Sequence, residues 1–504
     1  MKFNEYKQLD LTKVAEEILA FWKASNIFEQ SISAREGAAP FVFFEGPPSA
    51  NGVPGIHHVM ARSIKDIFCR YKTQKGFQVK RKAGWDTHGL PVELGVEKEL
   101  GITKEDIGKK ISVEDYNKAC KEAVMRYTDI WNDLTEKIGY WVDMEDPYIT
   151  YKPKYMESVW WLLKQLYNKG LLYKGYTIQP YSPKAGTGLS SHELNQPGCY
   201  RDVSDTTVVA QFKVKALAAA ANKALGNPTT PIHILAWTTT PWTLPSNTAL
   251  AVGKEIEYVL VKTFNQYTFQ PITIIIGKPL LAKQFGKKFV EGDATALAAY
   301  TPESKTIPYQ VLGECKGADL VGTTYEQLIP WCTPAENPTE AFCVIAGDFV
   351  TTDDGTGIVH IAPTFGADDA RVAKEYGVPP MLVKDAHGNL IPLVDLQGKF
   401  IEGHNIPEAF AGKYIKNEYY DAGQAPEKSW DVSLAILLKE ENKAFKVEKY
   451  VHSYPHCWRT DKPVLYYPLD SWFVRVTDFK ERMFELNETI NWKPKATGEG
   501  RFGN

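Results

Sequence analysis

The chain of 504 residues lacks any apolar run approaching the ~18 residues of a membrane-spanning helix. Its tightest apolar stretch, Ile272-Thr273-Ile274-Ile275-Ile276, reads as one buried strand, so no membrane partner is expected. The opening residues, Met1-Lys2-Phe3-Asn4-Glu5-Tyr6-Lys7, have no apolar core of a secretory signal. Cysteine is scarce: there are seven (Cys69, Cys120, Cys199, Cys315, Cys332, Cys343 and Cys457). An odd, scattered set with no paired framework suits a reducing cytoplasm. Nor is there an excess of either charge, with 58 Lys+Arg against 61 Asp+Glu and a net charge of −3. That balance excludes a polybasic binder but leaves local basic patches, on which nucleic-acid binding depends. Repeats and low-complexity tracts are absent too. What is there is globular: 44% hydrophobic and 24% charged residues, in a length that predicts about three domains.

The pattern opens with a helix over 10–27, in which Leu11, Val14, Ile18 and Phe21 recur near a 3.6-residue period. Phe41–Phe44 reads as a buried strand entering the loop Glu45-Gly46-Pro47-Pro48-Ser49-Ala50-Asn51-Gly52. A helix follows from His58 to Lys75, with Ile64, Ile67, Phe68 and Tyr71 at i, i+3, i+4 and i+7, and then a short strand into Gly84-Trp85-Asp86-Thr87-His88-Gly89. This is a βαβ-type unit whose loops would line a ligand crevice. Long helices are expected over 113–138 and 154–170. Beyond Tyr200 the chain turns β-rich, with strands at Thr207–Phe212, Ile232–Trp237, Tyr258–Val261 and Ile358–Ile361. It becomes mixed again after about Phe410, with a helix near 432–442 and a strand near 471–476. A β-rich block between two α/β stretches is the pattern of an inserted domain.

Four stretches carry chemistry. In Gly46–His58, Gly and Pro permit close backbone approach, and a helix N-terminus favours anions. His57 and His58 lie at that N-terminus and could donate to phosphate oxygens. Eight Lys/Arg fall between Arg62 and Lys82 with one acid, Asp66; the bland reading is a solvated basic face. A His-His metal site has no partner pair at ligand spacing. In Gly84–Glu93, Asp86 could hold an ammonium by a charge-assisted hydrogen bond, or merely close an Asx-turn. In Trp237–Asn247, Thr238, Thr239 and Thr240 offer three consecutive hydroxyls at a strand end to orient a water or a hydroxyl-bearing substrate; β-branched residues also simply favour strands. In Gly355–Asp369 a strand delivers His360, and the next loop delivers Asp368 and Asp369, either for acid–base work or as a helix N-cap. No C-x-x-C lies near Pro180–Lys184 or Cys457–Thr460, so no zinc knuckle is expected.

Taken together, these stretches resemble the class I isoleucyl-tRNA synthetases over nearly the whole chain. Phe43–Gly52 looks like the isoleucine form of the family's signature loop, Gly84–Glu93 like its GWDxHGLPxE segment, and Trp237–Asn247 like its threonine-rich editing peptide. Gly355–Asp369 is similar to the second editing peptide, and Ser471–Val476 to the point where the catalytic domain resumes. The resemblance implies an α/β fold: a Rossmann-like catalytic domain interrupted by a β-rich editing insertion. The expected parts are an N-terminal helix with the first catalytic half at 1–153, a helical connector at 154–200, the editing domain at 201–411, and a return connector with the start of the second half at 412–504. It also implies a monomer that activates isoleucine with ATP and Mg2+ and then esterifies tRNA(Ile). Gly55-Ile56-His57-His58 takes the place of the HIGH tetrapeptide with its first and third residues exchanged, leaving His58 to contact ATP. Pro47, Pro48, Asn51 and Gly55 would join the substrate loop, and Asp86 the amino-acid ammonium.

One missing methylene distinguishes valine from isoleucine by only ~1–3 kcal/mol, so a second, hydrolytic sieve is needed. The resemblance places it on Thr238, Thr239, Thr240 and Asp369, with His360 and Asn247 as further members. The family's lysine-rich KMSKS loop and anticodon-binding helices are not found here, so an N-terminal fragment with weak isoleucine activation is expected. The rival readings are a stand-alone aminoacyl-tRNA deacylase, a valyl-tRNA synthetase fragment, a tRNA-binding module, and a metal hydrolase using His360 with Asp368 and Asp369.

Overall fold

The computed structural model describes residue 5 and residues 8–503. The chain divides into two compact units, Met1–Tyr173 with Phe473–Asn504, and Lys174–Trp472. The second unit is therefore inserted in the sequence of the first.

The first unit begins with helix α1 (Leu11–Ala24), started by Asp10, whose carboxylate accepts from the backbone N–H groups of Thr12 and Lys13 at 3.1 Å each. Strands β1 (Pro40–Phe44), β2 (Gln78–Trp85) and β3 (Asp143–Ile149) form a three-stranded parallel sheet in that order. Helix α2 (Ile56–Gln74) makes the crossover that a parallel pair requires. The expected apolar stripe of α2 is present but not buried. Ile64, Ile67, Phe68 and Tyr71 are exposed, whereas Arg62, Cys69 and Thr73 point inward. Arg62 tolerates burial because it donates to Thr135 Oγ1 at 2.6 Å and lies 5.0 Å from the centre of the Trp131 ring.

The single helix expected over 113–138 is two, α3 (Val113–Val124) and α4 (Thr128–Lys137). The break is tertiary in origin. The Tyr127 N–H leaves the helical ladder to donate to the Ala50 carbonyl at 3.1 Å, a partner that no helical periodicity in 113–138 announces. Helix α5 (Pro153–Asn168) starts one residue before its expected position, with Pro153 at the first turn, where a missing N–H costs nothing.

The second unit is built on an 11-stranded sheet. Six of its strands close a ring: β4 (Tyr200–Ala216), β5 (Ile232–Thr238), β6 (Ala249–Val252), β7 (Thr324–Tyr325), β8 (Cys343–Ala346) and β9 (Ile358–Ile361). The neighbours around it run β5-β9-β6-β8-β7-β4, and β4 pairs back onto β5 from Val208↔Thr238 to Lys213↔His233. Closure removes the free edges of these six strands, while the sheet continues beyond the ring to end in Phe289–Glu291 on one side and Ala444–Pro455 on the other. Strand Pro271–Gly277 extends the sheet from β5; its residues 272–276 are all buried, as the isoleucine run requires. Inside the ring Val208, Phe212, Ile234, Ala236, Leu250, Val252 and Val344 belong to one continuous apolar cluster. Two helices matter for the site: α6 (Ala367–Glu375), which follows β9, and α7 (Trp430–Glu440).

Candidate functional site

Two candidate sites emerge, one in each unit. In the first unit, parallel pairing puts the C-terminal ends of β1 and β2 side by side, and with them the loops Glu45–Gly55 and Asp86–Gly89. The two loops are tied directly: the Asp86 N–H donates to the Pro48 carbonyl at 2.9 Å. Pro47, Pro48 and Asn51 are half-buried, and the Asp86 side chain is exposed to solvent. One Asp86 oxygen lies 3.4 Å from the His88 N–H, the Asx-turn geometry. A buried knot holds the second loop from below: Thr87 Oγ1 is 2.7 Å from Thr150 Oγ1, and His88 Nδ1 is 3.0 Å from the same atom.

The loop Ala50–Gly52 is gripped by α4. Besides the Tyr127 bond to Ala50, Trp131 Nε1 donates to the Gly52 carbonyl at 2.8 Å. Trp131 is fully buried and meets the His58 ring edge-on, with centroids 4.7 Å apart. The His58 Nδ1 accepts from the Gly55 N–H at 2.9 Å, so the remaining proton of a neutral ring is on Nε2. Partial burial and the neighbouring basic groups His57, Arg62 and Lys65 lower the His58 pKa, which favours that neutral form. His57 is exposed and packs against His58 at a centroid distance of 3.8 Å. The exchanged glycine has a steric account: a Cβ at residue 55 would lie 2.9 Å from the His57 ring.

The basic segment is not a free cationic face. Five of its eight cations have hydrogen-bond or ion-pair partners within the unit, Arg62 on Thr135, Lys65 on Glu45, Arg70 on Asp66 at 2.5 Å, Arg81 on Asp66 at 3.1 Å, and Lys82 on Asp146 at 2.5 Å, and Lys72 lies 4.6 Å from the centre of the Phe77 ring. Glu45, the first residue of the loop after β1, is buried, with Lys65 on one carboxylate oxygen and the Tyr140 hydroxyl on the other, while the Tyr148 hydroxyl donates to its carbonyl. A carboxylate directly after a predicted strand was the available signal.

In the second unit, β5 and β9 are adjacent and parallel, with Trp237 opposite Val359. Parallel strands present their C-terminal ends at the same edge, so Thr238–Thr240 and His360–Asp369 emerge together. The Thr238 hydroxyl accepts from the Thr240 N–H at 3.1 Å and lies 3.4 Å from the Thr240 hydroxyl. Thr239 and Thr240 are half-buried. A 3₁₀ turn, Pro241–Ser246, follows and is wholly buried.

His360 is buried, and burial lowers its pKa to about 4, so the ring is neutral at physiological pH. Thr243 Oγ1 donates to the Thr240 carbonyl at 2.8 Å and is 2.8 Å from His360 Nε2. With that hydroxyl proton committed, His360 Nε2–H is the donor to Thr243, and Nδ1 faces the Asn247 amide at 3.4 Å. Asn247 is fully engaged: its amide donates to the Ala249 carbonyl at 2.7 Å, and its oxygen accepts from the Tyr325 hydroxyl at 2.7 Å. Tyr325 escaped the sequence reading because β7 is only two residues long and 78 positions away.

The two aspartates separate cleanly. Both lie in the first turn of α6. Asp368 is exposed, 3.8 Å from Arg371. Asp369 turns back, and its Oδ2 accepts from the Ala362 N–H at 2.8 Å. Burial, reinforced by the Asp368 charge, raises the Asp369 pKa to about 6. The N-cap is Gly366, not either aspartate; a Cβ there would lie 2.6 Å from the Asp369 carboxyl carbon. Among the described residues no group of three or more His, Cys, Asp or Glu could hold a metal ion, and no helix is long and apolar enough to cross a membrane.

Residues 17–504 match the family model "tRNA synthetases class I (I, L, M and V)". The chain is 62% identical to an isoleucine–tRNA ligase of Bacteroides fragilis over all of this chain and 44% of that protein. It is 61% identical to the one of Porphyromonas gingivalis, with the same coverage. A Clostridium tetani isoleucine–tRNA ligase is 44% identical over 99% of this chain and 42% of its own length. The chain thus spans less than half the length of these relatives.

Proposed function

This chain belongs to the class I tRNA synthetases (I, L, M and V), and from that membership we propose that it carries the amino-acid-activation loops and the editing site of an isoleucine–tRNA ligase. The Rossmann-like half-domain is the first unit, with the editing domain of about 201–411 inside the second. The first unit would take isoleucine and ATP, with Mg2+ arriving on the nucleotide phosphates. His58 Nε2–H would donate to a phosphate oxygen, next to the N-terminus of α2. Asp86 is solvent-accessible beside Pro48 and would hold the isoleucine ammonium. The proposed whole is a cytoplasmic monomer acting on tRNA(Ile).

The editing reading rests on one observation: the parallel β5–β9 pairing that delivers the three threonines and Asp369 to one edge. In the proposed reaction, water adds to the ester carbonyl of valyl-tRNA(Ile). The carbon–ribose oxygen bond then breaks, and a proton passes to that ribose oxygen. Asp369, when ionised, would hold the valine ammonium by a charge-assisted hydrogen bond, and the Thr239 and Thr240 hydroxyls would orient ester and water. His360 has both nitrogens committed to Thr243 and Asn247, so its proposed role is to shape the site rather than to take the proton.

The test is hydrolysis of purified valyl-tRNA(Ile) beside isoleucyl-tRNA(Ile) by this chain. Selective loss of the valyl ester is expected. Equal, background-level decay of both esters would reject the editing reading. Chelator treatment, which should leave the rate unchanged, separates it from a metal-dependent hydrolase.

A further inference from the structure

The threonine-rich peptide is held from a direction that its sequence does not announce. Its 3₁₀ turn begins at Pro241, and the first N–H available there, on Trp242, donates at 2.8 Å to Asp431 Oδ1. Asp431 lies in the first turn of α7, is buried, and is 189 positions away in sequence. Helical turns leave their first N–H groups without internal partners; here a carboxylate from another element fills that place. Its second oxygen faces Lys416 Nζ at 3.9 Å. Lys416 is itself buried, bonded to Asp205 at 3.1 Å and lying 4.9 Å from the centre of the Tyr454 ring. Asp205 in turn meets His452 Nε2 at 3.2 Å.

The consequence reaches the site through one short path. The capped turn carries Thr243, whose hydroxyl joins the Thr240 carbonyl to His360 Nε2. The Trp242 ring packs edge-on against Phe365, between His360 and Asp369 in sequence, with centroids 5.0 Å apart. The position of the turn therefore sets where Thr240 stands against the second peptide.

We propose that Asp431 is a positioning residue of the editing site: as a tertiary cap on Trp242, it fixes Thr240 in its hydrolytic geometry, with Lys416 and Asp205 holding it in place. This rests on the editing reading above. It assigns no contact between Asp431 and the substrate.

Two substitutions separate positioning from simple structural support. Asp431→Asn keeps an oxygen acceptor for the Trp242 N–H and loses the charge beside Lys416. Asp431→Ala loses both. Both variants should lower the melting temperature of the chain, because both leave Lys416 with Asp205 as its one carboxylate partner, and Asp431→Ala should lower it further, because it also leaves the buried Trp242 N–H without its acceptor. Valyl-tRNA(Ile) hydrolysis should divide them: Asp431→Asn keeps at least a third of the wild-type kcat, whereas Asp431→Ala loses tenfold or more in kcat with KM for the tRNA nearly unchanged. Wild-type kcat in Asp431→Ala overturns the proposal. So does an equal loss in both variants, which is what loss of the Lys416 pair alone would produce. Failure of the editing reading is distinguishable, because then the wild-type chain itself shows no selective hydrolysis.

Discussion

At the scale of single residues, Asp369 is the group whose charge decides most. Burial and the nearby Asp368 raise its pKa to about 6, above the ordinary carboxylate range. Only the ionised form attracts an ammonium, so deacylation kcat/KM should rise with pH through about 6. Asp369→Ala should remove that limb and lower the rate by ~10- to 100-fold, the worth of a hydrogen bond to a charged group at ~1.5–3 kcal/mol. A pH profile of both proteins tests this; an Asp369→Ala variant that keeps the limb would reject the assignment. The same shift has a stability sign. A carboxyl with a raised folded pKa binds its proton more tightly in the folded state, so its contribution is greatest at low pH. It is lost as pH rises from about 4 through about 6. Asp369→Asn should flatten the decline in urea midpoint over that window.

At the scale of elements, local motifs and long-range contacts were unequally legible. Thr238–Thr240, His360 and the Asp368–Asp369 pair stand out in the sequence because hydroxyls, imidazole and carboxylates at strand ends are a chemical pattern, and the preference for Asp369 came from the family resemblance. Their convergence requires β5 and β9 to be parallel neighbours, and nothing local encodes that. The strands predicted at 41–44, 232–237, 272–276 and 358–361 and the helices at 58–75 and 154–170 were legible within a few residues, because their apolar periods are local, whereas β3, β6 and β8 were not predicted. The break between α3 and α4 was not, since its cause is the carbonyl of Ala50. Glu45, Tyr325 and Asp431 share this origin: each matters through partners 20 to 189 positions away. The α4 grip on the signature loop gives a prediction at this scale. Trp131 is buried, bonds the Gly52 carbonyl and faces both His58 and Arg62. Trp131→Ala should cost ~3–5 kcal/mol, as for other buried aromatics. Trp131→Phe should cost less, keeping the packing but leaving the Gly52 carbonyl without its donor. Urea unfolding of the first unit would read both, and equal costs would mean that the indole N–H contributes nothing.

At the scale of the whole molecule, the two units differ in how much apolar surface they bury. In the second, one cluster runs from the barrel interior through Trp242, Phe365, Phe400 and Trp430, and two smaller ones line other faces of the sheet. Among the described residues, the first has small clusters around Trp85 with Trp131 and around Tyr140 with Val142. It also leaves Trp160, Trp161 and Leu162 of α5, and Ile56 and Ile67 of α2, more than half exposed. Stability scales with buried apolar area, and a unit with its own core is the natural unit of unfolding. The chain should therefore melt in two calorimetric transitions, the first belonging to the first unit. Residues 174–472 expressed alone should melt at the temperature of the second. Because Thr238–Thr240, His360, Asp369 and the Asp431 cap all belong to the second unit, selective valyl-tRNA(Ile) hydrolysis should persist after heating through the first transition. It should vanish only with the second. Loss of hydrolysis at the first transition would reject the assignment of the hydrolytic site to the second unit alone, and the isolated segment would then show the same deficit at low temperature.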